Sequence, residues 1–266
     1  MVRRIFLTSV SVVGLCTATI VAAEARPNAP VSALPSWTGF YIGLNAGGAW
    51  GNSNPALTGN NPNAAPLFFG TALSVPPKLS PSGFIGGGQF GYNAQNGQWV
   101  FGGEVDFSGL SAKADASVNP FFSGKGPKVI TWSSQFDWLA TARLRGGFLI
   151  TPTTLVYATG GLAVTHVRDS VSCVRVSFGT CGDIVGNPNL IWSDSRTLAG
   201  GTVGGGIETM LSPGWTARVE YLFASFGKTT PGLTSPPSTN PPVSPLFSFD
   251  HELNLVRFAV NYKFHP

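Results

Sequence analysis

Few side chains in this sequence are suited to chemistry. The histidines are His166, His251 and His265. His166 is followed by Arg168 and Asp169, and His251 stands between Asp250 and Glu252. A histidine beside a carboxylate has the parts of a general base, and a serine nearby would complete a nucleophilic site. No Gly-x-Ser-x-Gly elbow presents such a serine, and the Gly-Gly-Gly-Gln run lies within strand-like sequence rather than before a helix. Both internal histidines are therefore expected at the outer rim of a sheet, and no catalytic, cofactor or metal site is expected.

Two further sets of residues carry chemistry of a structural kind. Cys173 and Cys181 are closely spaced, and in an exported chain such a pair predicts a disulfide closing one small loop. The second set is ionic: Glu104, Asp106, Arg143, Arg145, Glu208, Arg218, Glu220, Arg257 and Lys263 all fall inside segments that otherwise alternate apolar and small residues. Charges so placed need partners if they are enclosed.

The elements that position them are strands. Eight segments alternate with period two, at 40–50, 83–93, 98–108, 136–148, 154–166, 197–209, 215–223 and 254–264. Each is close to the roughly 9–11 residues that a tilted strand needs to cross a bilayer. Their connections alternate in length. The short ones are AQNG, with the tight-turn pair Asn96-Gly97, then LITPT and MLSPG. The long ones span about 51–82, 109–135, 167–196 and 224–253, are rich in Pro, Gly and polar residues, and read as surface segments. Long loops at one end and short turns at the other are the habit of outer-membrane barrels. The expected fold is all-β: an eight-stranded antiparallel up-and-down transmembrane barrel with four long extracellular loops and short periplasmic turns.

That fold settles inside and outside. Phe40, Ile42, Leu44, Phe90, Phe101, Leu144, Trp215 and Phe258 share faces expected to meet lipid, with aromatics gathering toward strand ends. The ionic set takes the opposite faces with Asn45, Gln89 and Asn261. An eight-stranded barrel is just wide enough inside to be filled by side chains, so these charges are expected to pair across strands, with Glu104–Arg143 and Glu220–Arg257 as the first pairs. Many glycines share the lumen faces, among them Gly43, Gly87, Gly91, Gly102 and Gly206; they either leave a narrow water path or make room for long arginines. Segment 154–166 is apolar on both faces. Leu155, Tyr157 and Ala163 oppose Val156, Leu162 and Val164, and our reading turns the second set toward lipid.

The motifs WTGFYIGLNAGGAWG at 37–51, GGGQFGYN and YATGGLA, with the aromatic final strand, resemble the alphaproteobacterial outer-membrane immunogenic proteins, small porin-family barrels with an OmpA-like transmembrane domain. The resemblance implies insertion by the outer-membrane assembly machinery, with Phe258, Tyr262 and Phe264 as the terminal-strand assembly signal. It implies a surface protein rather than an enzyme. One departure is that His265 and Pro266 follow Phe264. No peptidoglycan-binding domain is expected after the barrel.

Composition agrees with this fold. Charged residues are 11% of the chain against roughly 25% in a typical globular domain, while Gly reaches 34 and Phe 19. Residues 1–25 have Arg3 and Arg4, an apolar middle and small residues, the pattern of a secretory signal cleaved after Ala23 or Ala25. A Pro-rich linker follows at 26–36, and 37–266 form the barrel. Loss of Arg3 and Arg4 lowers the net charge from +4 to +2, and without a basic cluster no nucleic-acid partner is expected. Expected partners are outer-membrane lipids and lipopolysaccharide, the assembly machinery, and host or envelope molecules met through the loops. The expected role is structural and surface-interacting, with a narrow porin as the alternative and an outer-membrane enzyme third.

Overall fold

A computed structural model describes residues 36–57, 77–119, 121–122, 126–175, 189–229 and 247–264. The calls on residues 1–25 and 26–35, on Cys181 and on His265 lie outside the described residues. The elements are β1 (Gly39–Leu57), β2 (Ser82–Asn96), β3 (Trp99–Val118), β4 (Phe121–Phe122), β5 (Gly126–Thr151), β6 (Thr154–Arg175), β7 (Asn189–Ser212), β8 (Trp215–Thr229) and β9 (Phe247–Lys263). Neighbours run in the order β3-β2-β1-β9-β8-β7-β6-β5, and pairing of β3 with β5 closes the ring. The two-residue β4 attaches to β5 outside that ring. Eight antiparallel strands therefore form a closed up-and-down barrel, which leaves no edge in its wall.

Short turns join β2 to β3, β5 to β6 and β7 to β8. Gly97 has φ 61° in the first and Gly214 φ 81° in the third, the left-handed conformation that such turns require and that glycine adopts without a Cβ clash. The same end is corked by Trp37, which is buried against Val100, Leu149, Leu155 and Tyr157. Its backbone N–H donates to Gln95 Oε1 at 2.8 Å and its indole N–H to the Pro152 carbonyl at 3.2 Å.

The strands are longer than the alternation predicts, from 15 to 26 residues in the ring. Much of what reads as long connection is strand: β1 continues to Leu57, β3 to Val118, β6 to Arg175, and β5 begins at Gly126. The reason is an inversion of the pattern. In the lower half Phe101, Val105 and Phe107 of β3 point outward over Glu104 and Asp106 inside. In the upper half of the same strand Lys113 and Asp115 point outward over Leu110 and Ala112 inside. A lipid-facing wall has become a water-facing wall. β5 makes the change with a bulge: the register to β6 slips between Phe136 and Trp138, so Phe136, Trp132 and Ile130 face inward. A bulge adds one residue and flips the alternation beyond it.

Aromatic pairs mark the lower border of the apolar belt. Phe40 and Tyr92 ring centroids are 4.7 Å apart, Trp99 and Phe148 5.3 Å, and Trp215 and Tyr262 5.2 Å. Trp50, Phe107, Trp138 and Tyr221 occupy the upper border. The open question on segment 154–166 resolves by burial: Leu155, Tyr157 and Ala163 are buried, while Val156 and Leu162 are exposed on the wall.

Candidate functional site

The barrel interior at the height of the apolar belt holds a continuous ionic lattice. Glu104 and Arg143 are direct register partners on β3 and β5, with Nη2 to Oε1 at 2.5 Å. Glu220 and Arg257 are register partners on β8 and β9, also at 2.5 Å. Arg218 donates across the lumen to both Glu104 oxygens, at 2.5 and 2.7 Å, in a fork geometry. Arg257 reaches Asp106 Oδ1 at 2.9 Å and Arg143 reaches Asp106 Oδ2 at 3.0 Å. Arg145 pairs with Glu208 at 2.6 Å and lies 4.0 Å over the Tyr157 ring, an arrangement that suits a guanidinium. Four guanidinium groups thus meet four carboxylates.

Neutral groups complete the lattice. Tyr41 donates to Glu104 at 2.7 Å and Tyr157 to Glu220 at 2.8 Å. Thr216 and Asn261 donate to Glu208 at 2.6 and 2.9 Å. Gln89 accepts from Arg218 and donates to Asn261, and Asn45 donates to Gln89. Thr141 donates to Asp106. Every strand of the ring contributes at least one member. Because buried ions are costly unless paired and hydrogen-bonded, the lattice couples the strands to one another rather than merely filling space.

Above the lattice the interior becomes apolar. Ala49, Ile85, Leu110, Phe136, Leu139, Val167, Leu198, Leu222, Phe226, Leu253 and Leu255 belong to one buried cluster. Beyond it lies a polar layer of Ser53, Ser134, Asp169 and His251, joined by Arg196. A second apolar cluster, with Leu79, Ile130, Trp132, Val171, Cys173 and Phe249, stands above that. The lumen glycines are filled by neighbours. A Cβ at Gly91 would lie 2.4 Å from the Tyr41 ring, one at Gly206 2.8 Å from the Tyr157 hydroxyl, and one at Gly102 2.5 Å from Asn93 Oδ1. Glycine here lets large polar side chains lie flat against the wall.

Residues 14–264 match the outer membrane protein beta-barrel domain family. The chain belongs to that family. It is 35% identical over 209 residues to the 31 kDa outer-membrane immunogenic protein of Brucella melitensis, covering 77% of this chain and 78% of the relative. It is 27% identical to a 22 kDa outer membrane protein of Rhizobium leguminosarum bv. viciae, over 89% of this chain and 82% of that one. Among solved structures, OprG of Pseudomonas aeruginosa aligns at 15% identity with TM-score 0.48, covering 88% of this chain and 99% of that chain. As a member of this family the protein resides in the outer membrane, with its short turns toward the periplasm and its long connections outward.

Within this family barrel the residues singled out from sequence occupy distinct places. Glu104, Asp106, Arg143, Arg145, Glu208, Arg218, Glu220 and Arg257 stand together in the lattice. Lys263 does not join them. It is the last residue of β9, and its ammonium donates to the Ser36 carbonyl at the periplasmic mouth. It stands two residues beyond Asn261 on the same inward face, and no carboxylate among the described residues pairs with it. Cys173 is not in a loop: it lies in β6, opposite Ile130 of β5 and Leu190 of β7, with its side chain buried. Phe258, Tyr262 and Phe264 all present exposed rings on the outer wall, and the Phe264 N–H bonds the Phe40 carbonyl at 2.9 Å across the β1–β9 seam.

The histidines also need correcting. His166 is on the outer wall, with Ser195 Oγ 2.9 Å from Nε2 and the ring stacked on Trp138. His251 is fully buried, because it sits on the inward face of β9 at a height where β1, β5 and β6 still surround it. Reading 224–253 as loop placed it on the rim. Tyr41, Tyr157, Thr141 and Thr216 were also missed. Their signal was period-two placement on the faces carrying Asn45, Gly161, Arg143 and Arg218. Among the described residues, no cluster of three or more His, Cys, Asp or Glu side chains could hold a metal ion.

Proposed function

We propose that this protein is a structural and surface-interaction protein of the outer membrane, with a closed lumen and its long connections as the working surface. The observation that carries this reading is the stacking inside the barrel. An aromatic cork, an ionic lattice, an apolar layer, a polar layer and a second apolar layer succeed one another along the barrel interior among the described residues. An apolar layer between polar ones opposes passage of hydrated solutes, since each would have to shed water without gaining a partner.

The lipid-facing belt of Leu44, Phe84, Leu144 and Leu162 supplies the contact with membrane lipid and lipopolysaccharide. Phe258, Tyr262 and Phe264 supply the strand read by the assembly machinery. Host or envelope molecules are met at the long connections, a role supported by relatives whose printed names call them outer-membrane immunogenic proteins. The protein is not an enzyme in this reading, and purified barrel is expected to turn over neither lipid A nor esters. Planar-bilayer recording tests the closed lumen. Wild-type protein is expected to give no steady openings, and steady openings comparable to those of general porins would overturn the reading.

A further inference from the structure

The β5 bulge sets two successive residues, Asp137 and Trp138, on the outer wall, because the register to β6 slips between Phe136 and Trp138 while Phe136 stays inward. They stand at the upper border of the apolar belt, where the Trp138 and Phe107 ring centroids are 5.7 Å apart. Register brings outward residues of β6 and β7 beside them. His166 faces Trp138 and Thr197, and Arg168 faces Gln135 and Ser195. The Trp138 and His166 rings are 10° from parallel. Ser195 Oγ lies 2.9 Å from His166 Nε2 and Thr197 Oγ1 3.4 Å from Nδ1. Gln135 Nε2 donates to Asp137 Oδ1 at 3.0 Å.

Ser195, His166 and Asp137 are not a hydrolytic triad. Asp137 Oδ2, 3.9 Å away, approaches the same ring nitrogen as Ser195, so no carboxylate orients the imidazole from Nδ1. What the cluster does present is a guanidinium. Arg168 Nε is 2.8 Å from Asp137 Oδ2, yet among the described residues that oxygen accepts no hydrogen bond. The pair is one of charge, and the N–H fork of Arg168 keeps its donors. The Arg168 side chain is 62% exposed and that of Asp137 17%, so the cation is what this surface shows, with the carboxylate beneath it. Lys113 of β3 stands in the same row across Gln135, roughly 10 Å from Arg168 by strand spacing, and pairs with Asp115. Asp194 and Arg196 of β7 alternate to the other side, where Arg196 meets Asp169.

Beneath this cluster, on the same strands, an open apolar groove of about 500 Å³ lies between Leu144 and Leu162, over Val105, Ala142 and Gly160. Its size suits one apolar ligand, and it begins about 13 Å below Trp138 along β5. An exposed anion donor at the aromatic border, with an apolar groove under it, is the two-part recognition that a charged lipid requires. The chain resides in the outer membrane, so the wall at this height faces the headgroups of the outer leaflet. We infer that this panel binds one lipopolysaccharide molecule. The Arg168 fork takes a phosphate of the headgroup, and the Ser195, Thr197 and Gln135 side chains meet its sugar hydroxyls. Trp138 anchors the headgroup level, and an acyl chain lies in the groove. The charge of the fork selects a phosphorylated lipid, and the polar side chains around it select a sugar headgroup over that of a phospholipid. This places the lipopolysaccharide contact of the proposed function at named residues and rests on that contact.

The test titrates the full barrel, in zwitterionic detergent micelles, with diphosphoryl lipid A, dephosphorylated lipid A or phosphatidylglycerol, and counts bound lipid by native mass spectrometry. Wild type is expected to take up one diphosphoryl lipid A and to bind the other two lipids about 10-fold more weakly or worse, the factor that hydrogen bonds to a charged group supply. Arg168→Gln is expected to lose about the same factor. Ala142→Phe, which fills the groove, is expected to weaken binding as well. Lys228→Gln, at an exposed position of β8 outside the cluster, is expected to leave it unchanged. Each variant is checked for the heat-dependent gel shift of a closed barrel. Undiminished binding in Arg168→Gln or Ala142→Phe overturns the site and leaves a general lipopolysaccharide contact standing. Equal binding of dephosphorylated lipid A or of phosphatidylglycerol overturns it too. No uptake of lipid A by wild type overturns the site and the contact together. The comparison of headgroups needs no variant, so misfolding of a variant leaves it decisive.

Discussion

Arg218 of β8 and Glu104 of β3 are 114 residues apart in sequence and meet across the barrel axis in a two-point fork, at 2.5 and 2.7 Å. The contact is not between neighbouring strands. It spans the lumen, and Gln89 of β2 accepts from the same guanidinium at 2.9 Å. A cross-lumen strut of this kind constrains the barrel's section as well as its register.

Arg218→Met removes the strut and leaves Glu104 and Glu220 enclosed with less positive charge. Breaking one side of a buried pair costs about 3–5 kcal/mol, and urea unfolding in lipid vesicles is expected to show a loss of that size. Arg168→Ala is the control. Its bond to Asp137 at 2.8 Å lies on the outer wall, with Arg168 well exposed, so the expected change is under about 1 kcal/mol.

Arg257→Met and Lys263→Met separate lattice membership from mere inward facing. Arg257 serves both Asp106 and Glu220, and its loss is expected to destabilise by about 3 kcal/mol or more. Lys263 serves one carbonyl at the mouth, and its replacement is expected to cost about 1 kcal/mol. Equal effects of the two would contradict the exclusion of Lys263 from the lattice.

Gly91→Ala places a methyl 2.4 Å from the Tyr41 ring, whose hydroxyl is tied to Glu104. Overpacking of this kind costs about 1–3 kcal/mol. Gly48→Ala meets nothing within 4 Å and is expected to be neutral in the same assay.

Leu144 is 76% exposed on the wall directly outside the lattice, between Gly103 and Gly160. Leu144→Arg is expected to lower stability in a bilayer by about 2–4 kcal/mol. In detergent-free vesicles of thinner lipid the cost falls as the guanidinium reaches the headgroups. A neutral result would mean that this face does not meet hydrocarbon.

Cys173 and Cys181 are proposed to form a disulfide in the exported protein. Peptide mapping under non-reducing conditions is expected to recover the linked pair, and Cys181→Ser to cost about 2–3 kcal/mol by the chain-entropy estimate for so short a loop. Recovery of both as free thiols would sink the pairing.

Period-two alternation, the lengths of the connections and the types of the turn residues were enough to specify an eight-stranded barrel and to separate its faces. Glu104 and Arg143 could be matched in height by counting up each strand from its own short turn, Asn96-Gly97 beneath β3 and Pro152-Thr153 beneath β5. Those are local properties of the chain. The upper barrel was hidden because its rule reverses. Ser111, Lys113 and Arg168 face water and Leu110, Phe136 and Val167 face inward, so a search for apolar residues on the outer face stops at the girdle. The bulge at Phe136–Trp138 then flips the face again. Only the closed ring decided that Arg218 reaches Glu104, that Lys263 bonds the Ser36 carbonyl at the mouth, and that His251 is walled in beside Ser53 and Asp169. Contacts across a lumen depend on curvature and shear, which arise when the eight strands close on one another and which alternation along a single strand does not encode.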